Sequence, residues 1–506
     1  MNKNTKGLLI YPPVQLIDSD TPRPDGSLGL LYLASSLEKE GILTDVLDAS
    51  IGHNEQRLED TYYKVVHQEN GLRRIGMDFK DIADYVVSKN YDFVGINSSH
   101  TIQTRMAFET AKAIKKAAPN IPIFSGGVNA RAQKDKFLET NYFDAICLTE
   151  GELIFPKAII NGIENTPGFA YKEKNGSAKS IPVTIECFPK HLDDLPMPAW
   201  EKLSLEKYFE IYSPHGVDIT DNKSRRYASL ATTRGCIWGC QYCHVSTEKK
   251  DIGRLRAHSI ERVLSEVDKL KSIGIEKIFL EDDNPFAFKK RAFNILDGIK
   301  DKGIKVLLVN GANIRDYYLN NSNKEKLEID YKFLEALVSA GFEQIVFPVE
   351  SGNKRILNKY CSGKVNLDIM NIPELMQAMT NVGIKAPVNL MIGFPDETEQ
   401  EMFETIKLGR KIKEAGAPYV TFFIPIPFPG SKLYSLAINK GYLDKNFNSD
   451  LMNYKIPAMK NTKVPPERLL EIRDWAHKSV NEIEFVKKRE KSTIKYQDGE
   501  IPASHL

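Results

Sequence analysis

The stretch TTRGCIWGCQYCHVS, residues 232–246, holds three of the six cysteines in a chain of 506 residues. Cys236, Cys240 and Cys243 follow the strand-like run YASLATTRG, so they occupy a loop at the carboxyl end of a predicted strand. Structural zinc sites usually need four ligands, whereas a 4Fe-4S cluster held by three cysteines leaves one iron open. The spacing therefore favours a cluster, with a zinc knuckle completed by His244 or three unligated core thiols as alternatives.

The residues around this loop alternate between strand-like and helix-like segments, as in SIERVLSEVDKLKSIG after the first strand. Such alternation is typical of β/α units. Six units predict a partial barrel, short of the eight that close a full one, with its active site at the carboxyl ends of the strands. The strand candidates are RYASLATTRG, KIFLED, KVLLVN, QIVFPVE, APVNLMIGF and YVTFFIPIP.

The first 160 residues alternate in the same way and predict a separate α/β domain, a doubly wound parallel sheet with helices on both faces. Ligands of such sheets bind beyond the carboxyl ends of the strands. Polar or glycine-rich turns lie at those ends: Ser98-Ser99-His100-Thr101, Gly126-Gly127-Val128-Asn129 and Glu150-Gly151-Glu152. The strand candidates are GLLIY, ILTDVLD, FVGINS, IPIFSGG and DAICLTE.

The domain boundaries follow from changes in periodicity. The stretch FPKHLDDLPMPAWEKL carries three prolines and weak periodicity, which is typical of an ordered linker. We predict an N-terminal sheet domain over residues 1–165, a linker over 166–222 and a partial (β/α)6 barrel over 223–441. Residues 442–506 are predicted to be mostly helical, with a tail that frays.

The composition is that of an ordinary globular protein, with 42% hydrophobic and 27% charged residues and a formal net charge of +2. The even mixture of charges gives no electrostatic footprint for nucleic acid or an anionic membrane surface. Neither a leader peptide nor a membrane span is expected. Six scattered cysteines do not make a secreted disulfide framework, so we expect a reduced, cytoplasmic setting.

Cys-x3-Cys-x2-Cys, with Tyr242 before its third cysteine, resembles the signature of radical S-adenosylmethionine (SAM) enzymes. Four further segments resemble motifs of that family in the right order: IFLEDDNPFAF (278–288), VESGNKRILN (349–358), NLMIGFPDETEQE (389–401) and PIPFPGSKLY (425–434). The resemblance implies that Cys236, Cys240 and Cys243 bind a 4Fe-4S cluster whose open iron is chelated by SAM.

The same resemblance assigns SAM-binding residues. It places the acidic residues of the second-strand motif at the amino group, although an acidic trio after a strand, taken alone, is more often a helix cap. Glu350 ends an otherwise apolar strand, where a charge needs a partner. The implied SAM-binding residues are Tyr242, Glu281, Asp282, Asp283, Glu350, Ser351, Gly393 and Pro395.

The first 160 residues resemble the cobalamin-binding domain that precedes the barrel in one subgroup of this family. Hydroxyl side chains could bond the corrin or its nucleotide tail, and glycines allow close backbone approach. The implied cobalamin-binding residues are Ser98, Ser99, Thr101, Gly126, Gly127, Asn129, Glu150 and Gly151. The Asp-x-His-x-x-Gly sequence that supplies an axial histidine in many cobalamin proteins is absent, and His100 is the one histidine near the matching loop.

The resemblance implies a cobalamin-dependent radical SAM methyltransferase that acts on an unactivated carbon of a small molecule and receives electrons from a flavodoxin or ferredoxin. One alternative is a rearrangement or cyclisation with the same cofactors, and another is a cobalamin or iron–sulfur sensor without catalysis. A methylthiotransferase is disfavoured because residues 1–160 contain only Cys147, whereas its N-terminal domain should supply three cluster cysteines.

Overall fold

A computed structural model describes residues 5–18, 20–24, 27–173, 175–246, 255–319 and 325–487 of the chain. The chain forms two compact units. The first unit comprises the described residues up to 214 together with 448–451, and the second comprises 215–447 and the described residues from 452 onward. The tail that we predict to fray is 487–506, and all of it except Lys487 lies outside the described residues.

A seven-stranded sheet forms the centre of the first unit. The strands of this unit are β1 (Lys6–Tyr11), β2 (Val14–Leu16), β3 (Leu43–Asp48), β4 (Val66–His67), β5 (Arg73–Ile75), β6 (Phe93–Asn97), β7 (Ile123–Gly126), β8 (Ala145–Cys147), β9 (Phe169–Lys172) and β10 (Ala178–Ser180). The central sheet has the order β3-β1-β6-β7-β8-β9-β10. Its first five strands are parallel, and β9 and β10 continue it antiparallel. The predicted doubly wound sheet is confirmed.

The order of the parallel strands fixes where a ligand is expected. From β1 the chain moves to one side to form β3 and then to the other side to form β6. The order reverses between β1 and β6, and crevices of doubly wound sheets lie at such a reversal, beyond the carboxyl ends of the strands. Leu8, Leu9 and Ile10 are all completely buried, as expected for a central strand covered by helices on both faces.

Short elements surround this sheet. Strands β2, β5 and β4 form a small antiparallel sheet, and β9 and β10 fall within residues 166–222, which we predict as a linker. The helices of the first unit are α1 (Leu28–Lys39), α2 (Phe79–Ser88), α3 (Thr104–Ala117), α4 (Val128–Ala132), α5 (Lys134–Glu139), α6 (Ile154–Asn161) and α7 (Leu205–Ile211). The first part of the predicted linker thus forms two strands of the N-terminal sheet.

The second unit contains the predicted partial barrel. Its strands are β11 (Tyr227–Leu230), β12 (Thr233–Gly235), β13 (Leu255–Ala257), β14 (Lys277–Leu280), β15 (Lys305–Leu308), β16 (Phe342–Ile345), β17 (Phe347–Glu350), β18 (Val388–Met391) and β19 (Val420–Phe423). Strands β11-β14-β15-β16 and β17-β18-β19 are parallel and follow one another in chain order. The partial (β/α)6 architecture is confirmed, and β12 and β13 form a separate antiparallel pair.

The fourth barrel strand is split into β16 and β17 at Val346. Val346 N–H donates to Leu308 of β15 at 3.0 Å, and Phe347 N–H donates to Pro387 at 2.9 Å. Pro348 has no N–H to give to a ladder, and the register between β17 and β18 shifts between Pro348 and Glu350. The break therefore lets the first half of this strand, β16, pair with β15 and its second half, β17, pair with β18.

Helices cover the outer face of the barrel, and several begin with a side-chain cap. Thr398 and Glu401 form a reciprocal capping box at the start of α13. The helices of the second unit are α8 (Ile260–Ser272), α9 (Lys289–Ile299), α10 (Tyr331–Ser339), α11 (Lys354–Tyr360), α12 (Ile372–Asn381), α13 (Glu399–Glu414), α14 (Lys432–Asn439) and α15 (Pro466–Val480). Among the described residues, none of the helices has the length and apolarity that crossing a membrane requires.

Candidate active site

The turn that leads into the cysteine loop is held by a buried carboxylate. Asp282, which is completely buried, follows β14 and accepts hydrogen bonds from the Thr232 N–H at 2.9 Å and from the Thr232 and Thr233 hydroxyls at 2.8 and 2.7 Å. Burial raises the pKa of Asp282, although these donors oppose the shift. The predicted SAM-binding Asp282 is therefore saturated by its own chain and fixes the approach to the cysteines.

The back of the cysteine loop rests on the docking turn, residues 359–362, which comprises the last two residues of α11 and the two that follow. The Gln241 N–H donates to the Tyr360 carbonyl at 2.8 Å, and the Gly239 N–H donates to the Ser362 hydroxyl at 3.2 Å. The Cys240 thiol donates to the Cys361 carbonyl at 3.4 Å. These three hydrogen bonds join the loop to the segment that follows the fourth barrel strand.

The three cysteines differ in exposure, and none of the three forms a disulfide. Cys240 is buried, whereas Cys236 and Cys243 are partly exposed. Burial, aided by the negative charge of Asp283, raises the pKa of the Cys243 thiol to about 12. Three sulfur donors from one loop suit an iron–sulfur cluster. Among the described residues, no three His, Cys, Asp or Glu side chains lie close enough together to hold a single metal ion. The ligands of an iron–sulfur cluster bind separate irons, so they need not meet at one point.

The other two carboxylates of the acidic trio are in different environments. Glu281 Oε2 lies 3.0 Å from His215 Nδ1, and Glu281 Oε1 is buried without a hydrogen-bond partner among the described residues. Asp283 accepts from the Gly235 N–H at 3.3 Å, next to Cys236. A buried carboxylate oxygen without a donor is an acceptor for an ammonium group. Glu281 therefore fits the predicted contact with the amino group of SAM better than Asp282.

Glu350 ends β17 in a strained backbone conformation, with φ +70°, and is only 5% exposed. Its Oε1 lies 2.6 Å from the Lys364 ammonium, a partner that the sequence did not indicate. Burial opposes the charge of Lys364, but the Glu350 carboxylate, together with the neighbouring Cys240 and Cys361, raises the pKa of the lysine. Positive φ at a non-glycine residue persists only where the surroundings enforce it, and such strain is common at functional sites.

The remaining predicted SAM-binding residues lie around the same strand ends. Burial and the charge of Glu350 raise the pKa of Tyr242, whose ring is 6.1 Å from that of Phe394. Ser351 is completely buried, and its hydroxyl lies 3.0 Å from that of Thr405 on α13, so it ties the strand end to that helix. Gly393 adopts φ +100°, a conformation that favours glycine.

Glu397, which the sequence analysis did not single out, organises the turn after β18. Its Oε2 accepts the N–H groups of Gly393 at 2.7 Å and Phe394 at 3.0 Å. The carboxyl is completely buried, and burial raises its pKa to about 8. Glu397 lies four residues after Gly393 and three after Phe394, a spacing that could have suggested a turn closed by side-chain-to-backbone hydrogen bonds.

Four of the predicted cobalamin residues, Ser98, Ser99, Gly127 and Asn129, come together at the carboxyl ends of β6 and β7. Asn129 Nδ2 donates to the Ser98 hydroxyl at 2.8 Å, and Ser99 donates to Asn97 at 3.2 Å. Gly127 has φ +98°, and a Cβ there would lie 2.7 Å from the Ser98 carbonyl oxygen. The two turns therefore touch, and a side chain at Gly127 would force them apart. This polar, closely packed edge suits a large ligand that offers amide and phosphate groups.

The other predicted residues flank this edge. Gly126 and Gly151 both lie close to Cys147 at the end of β8. A Cβ added at Gly126 would be 3.6 Å from the Cys147 Cβ, and one added at Gly151 would be 3.8 Å from the Cys147 Sγ. Thr101 is buried, and its carbonyl accepts from the Thr104 hydroxyl at 2.6 Å. Glu150 is partly exposed in the turn after β8, and His100 is exposed after β6.

Comparison with known families matches both parts of the chain. The model of the radical SAM superfamily matches residues 230–409, and the model of the B12 binding domain matches residues 26–159. The predicted cofactors, a 4Fe-4S cluster, SAM and cobalamin, are confirmed by these matches.

Individual relatives extend over most of the chain. The cytidylyl-2-hydroxyethylphosphonate methyltransferase of Streptomyces wedmorensis is 26% identical over 89% of this chain and 85% of its own. An uncharacterized methyltransferase of Pyrococcus horikoshii is 28% identical over 87% of this chain and 85% of its own. The solved structure of the cobalamin-dependent SAM radical enzyme OxsB, with aqua-cobalamin bound, has a similar fold, with a TM-score of 0.69 and 16% identity over 98% of this chain and 71% of OxsB. The chain is therefore a cobalamin-dependent radical SAM enzyme related to methyltransferases, with a B12-binding domain ahead of its radical SAM domain.

Proposed function

We propose that the enzyme transfers a methyl group from SAM to an unactivated carbon of a small biosynthetic molecule. The observation that carries the proposal is the likeness, along nearly the whole chain, to a methyltransferase for cytidylyl-2-hydroxyethylphosphonate. The likeness covers both the cysteine loop and the glycine-rich edge of the sheet. A small phosphonate or its nucleotidyl conjugate is therefore the first substrate class to test.

The site residues divide the work between binding and positioning. Cys236, Cys240 and Cys243 would hold the cluster, and Glu281 would accept the ammonium of SAM through its unpartnered Oε1. Glu350, held by Lys364, would face the sugar and carboxylate of SAM. When bound, the reduced cluster and SAM supply a radical that abstracts hydrogen, and cobalamin supplies the methyl group.

The turns at the ends of β6 and β7 would bind cobalamin through the hydroxyl and amide groups of Ser98, Ser99 and Asn129. Asn129 bonds Ser98 across the two turns, and Ser99 bonds Asn97 at the end of its own strand. The edge is therefore organised before the ligand binds. We also expect a one-electron donor such as a flavodoxin or ferredoxin, because a cluster of this kind must be reduced before each radical is formed.

The test begins without a substrate. The anaerobically reconstituted enzyme is given a reductant and SAM with a trideuterated methyl group, and the bound cobalamin is analysed by mass spectrometry. We expect cobalamin that carries the labelled methyl group. Cytidylyl-2-hydroxyethylphosphonate is then added as the first probe, and we expect a labelled C-methyl product together with 5′-deoxyadenosine.

The same experiment separates the alternative reaction. A substrate that yields 5′-deoxyadenosine and an unlabelled product would contradict methyl transfer and favour a rearrangement or cyclisation. The matched control is the Cys243→Ala enzyme, in which 5′-deoxyadenosine formation should be lost.

A further inference from the structure

Two glutamines join the loops on either side of the strand reversal in the N-terminal sheet. The Gln15 N–H donates to Gln103 Oε1 at 2.8 Å, and Gln103 Nε2 donates back to the Gln15 carbonyl at 2.8 Å. Gln15 Nε2 also donates to the Ile102 carbonyl at 2.5 Å. Gln15 lies in β2, the short strand after β1, and Gln103 ends the short helical turn after β6. This glutamine clasp therefore joins the segments that follow the two strands at the reversal of strand order, the place where doubly wound sheets bind their ligands.

Asp450 completes the clasp from a distant part of the sequence. Its Oδ1 accepts Gln15 Nε2 at 2.8 Å. Its Oδ2 accepts Asn70 Nδ2 at 2.9 Å and both Nε and Nη2 of Arg105, at 3.0 and 2.8 Å. Asp450 is 4% exposed, Gln15 is 1% exposed, and residues 448–451 belong to the N-terminal unit. One buried carboxylate therefore ties together β2, the β4–β5 loop and the start of α3.

The clasp is connected to the predicted cobalamin edge. Arg105 is the second residue of α3, and the residue before it, Thr104, accepts Asn129 Nδ2 at 3.0 Å. Asn129 also donates to the Ser98 hydroxyl. A polar network thus runs along the carboxyl edge of the sheet, from the loop after β1 to the turn after β7.

The physical consequence concerns the shape of this edge. Without the Asp450 carboxylate, the buried Gln15 amide would lose an acceptor, and a buried donor without an acceptor is expensive. The Arg105 side chain is 46% exposed and could turn to water, which would release α3 from the clasp. The loops after β1 and β6 would then move to find other partners. A ligand that binds across both loops would have to reorder them, which weakens binding.

We propose that Asp450 is a positioning residue for cobalamin: it fixes the glutamine clasp and so sets the spacing of the loops that receive the cofactor. The proposal rests on the confirmed use of cobalamin and on the predicted edge of the sheet. It assigns a part in cofactor binding to a segment more than 280 residues beyond the matched B12-binding residues 26–159.

The test measures the affinity of the full chain for hydroxocobalamin by equilibrium dialysis, read by visible absorbance. We expect Asp450→Ala to raise Kd by about tenfold or more. Asp450→Asn should have a smaller effect because an amide oxygen can still accept from Gln15. The control is Asp444→Ala, which removes an exposed ion pair with Lys460 and should leave Kd within about twofold.

Further readouts separate positioning from general unfolding. The iron content and the melting temperature of Asp450→Asn should stay close to those of the unchanged chain. Adding Gln15→Ala to Asp450→Ala should raise Kd less than the two single effects combined, because both act through one clasp. A Kd within about twofold in both Asp450 variants, or full additivity, would overturn the proposal.

One more variant distinguishes a failure of the Asp450 proposal from a failure of the predicted cobalamin placement. Ser99→Trp places a bulky ring at the partly exposed tip of the predicted edge and should abolish cobalamin binding. If Ser99→Trp abolishes binding while the Asp450 variants do not, the edge is right and the clasp is not. If neither affects binding, cobalamin does not bind at this edge, and both the placement and the proposal fail.

Discussion

At the scale of single residues, Glu350 and Lys364 form an ion pair in the radical SAM site in which each charge depends on the other. The Lys364 side chain is 13% exposed and that of Glu350 is 7% exposed, so neither charge is well hydrated. A buried pair contributes little relative to apolar side chains, but a single buried charge left behind is strongly destabilising.

Lys364→Met should therefore destabilise the protein by on the order of 3 kcal/mol, because it strands the Glu350 carboxylate. Differential scanning calorimetry of the cofactor-free chain should show a lower melting temperature. Adding Glu350→Gln to the same chain should recover most of the loss. A Lys364→Met chain that melts like the unchanged protein would show that Glu350 finds another partner.

The raised pKa of Glu397 should make the stability of the folded chain depend on pH. Burial raises its pKa from an ordinary 4.5 to about 8. A carboxyl whose folded pKa is raised contributes stability below about pH 4.5, and that contribution is lost as the pH rises to about 8. Glu397→Gln keeps an acceptor for Gly393 and Phe394 but cannot ionise. Its melting temperature should therefore fall less than that of the unchanged chain between pH 5 and 8.5, by about a few degrees. Parallel melting profiles of the two proteins would refute this assignment.

The acidic trio shows how far sequence reasoning reaches at this scale. The run Glu281-Asp282-Asp283 indicated that carboxylates gather at a strand end, but not which of them is available. That choice depends on contacts with the distant Thr232 and Thr233, which take up Asp282. Asp450 was missed because its partner Gln15 is 435 residues away along the chain, and Lys364 was missed because α11 lies between it and Glu350.

At the scale of elements, the docking turn holds the cysteine loop through a few hydrogen bonds. Ser362 supplies the hydroxyl that accepts the Gly239 N–H, next to Cys240. One lost hydrogen bond is worth about 1 kcal/mol. This bond lies one residue from Cys240, so opening of the loop at that point should be sensitive to its loss.

Ser362→Ala should speed the release of iron from the reconstituted enzyme to a chelator by about fivefold, as the loop opens more often. The release is followed by the absorbance of the iron–chelator complex. Ser339→Ala is a matched control, because Ser339 bonds only to its own helix at Glu335. Equal release rates in the two variants would mean that the docking turn does not retain the cluster.

The strands show why some elements could be predicted and others could not. Long apolar runs such as GLLIY and KVLLVN are buried on both faces, and the predicted strands there are confirmed. The run QIVFPVE reads as one strand, but Pro348 and the change of neighbours divide it. Strands β4 and β10 are two and three residues long and mostly exposed, so they have no hydrophobic period to detect.

At the scale of the whole molecule, the two cofactors are assigned to separate compact units. Cys243→Ala should therefore lose most of its iron and still bind cobalamin. Cys187→Ala is the control, since Cys187 is buried in the N-terminal unit, outside the predicted ligand triplet, and its loss should leave the iron in place. Metal analysis and visible absorbance of the two variants provide the measurement. Loss of iron in Cys187→Ala as well would put the proposed ligand set in doubt.

A chain that carries both a three-cysteine cluster and a cobalamin must contain iron, sulfide and cobalamin in fixed ratio. The content of all three per chain is measured after anaerobic purification from cells supplied with cobalamin. We predict about four irons, about four sulfides and one cobalamin per chain. Zinc in place of iron would contradict the radical chemistry, and a full cluster without cobalamin would contradict the methyl carrier and with it the proposed reaction.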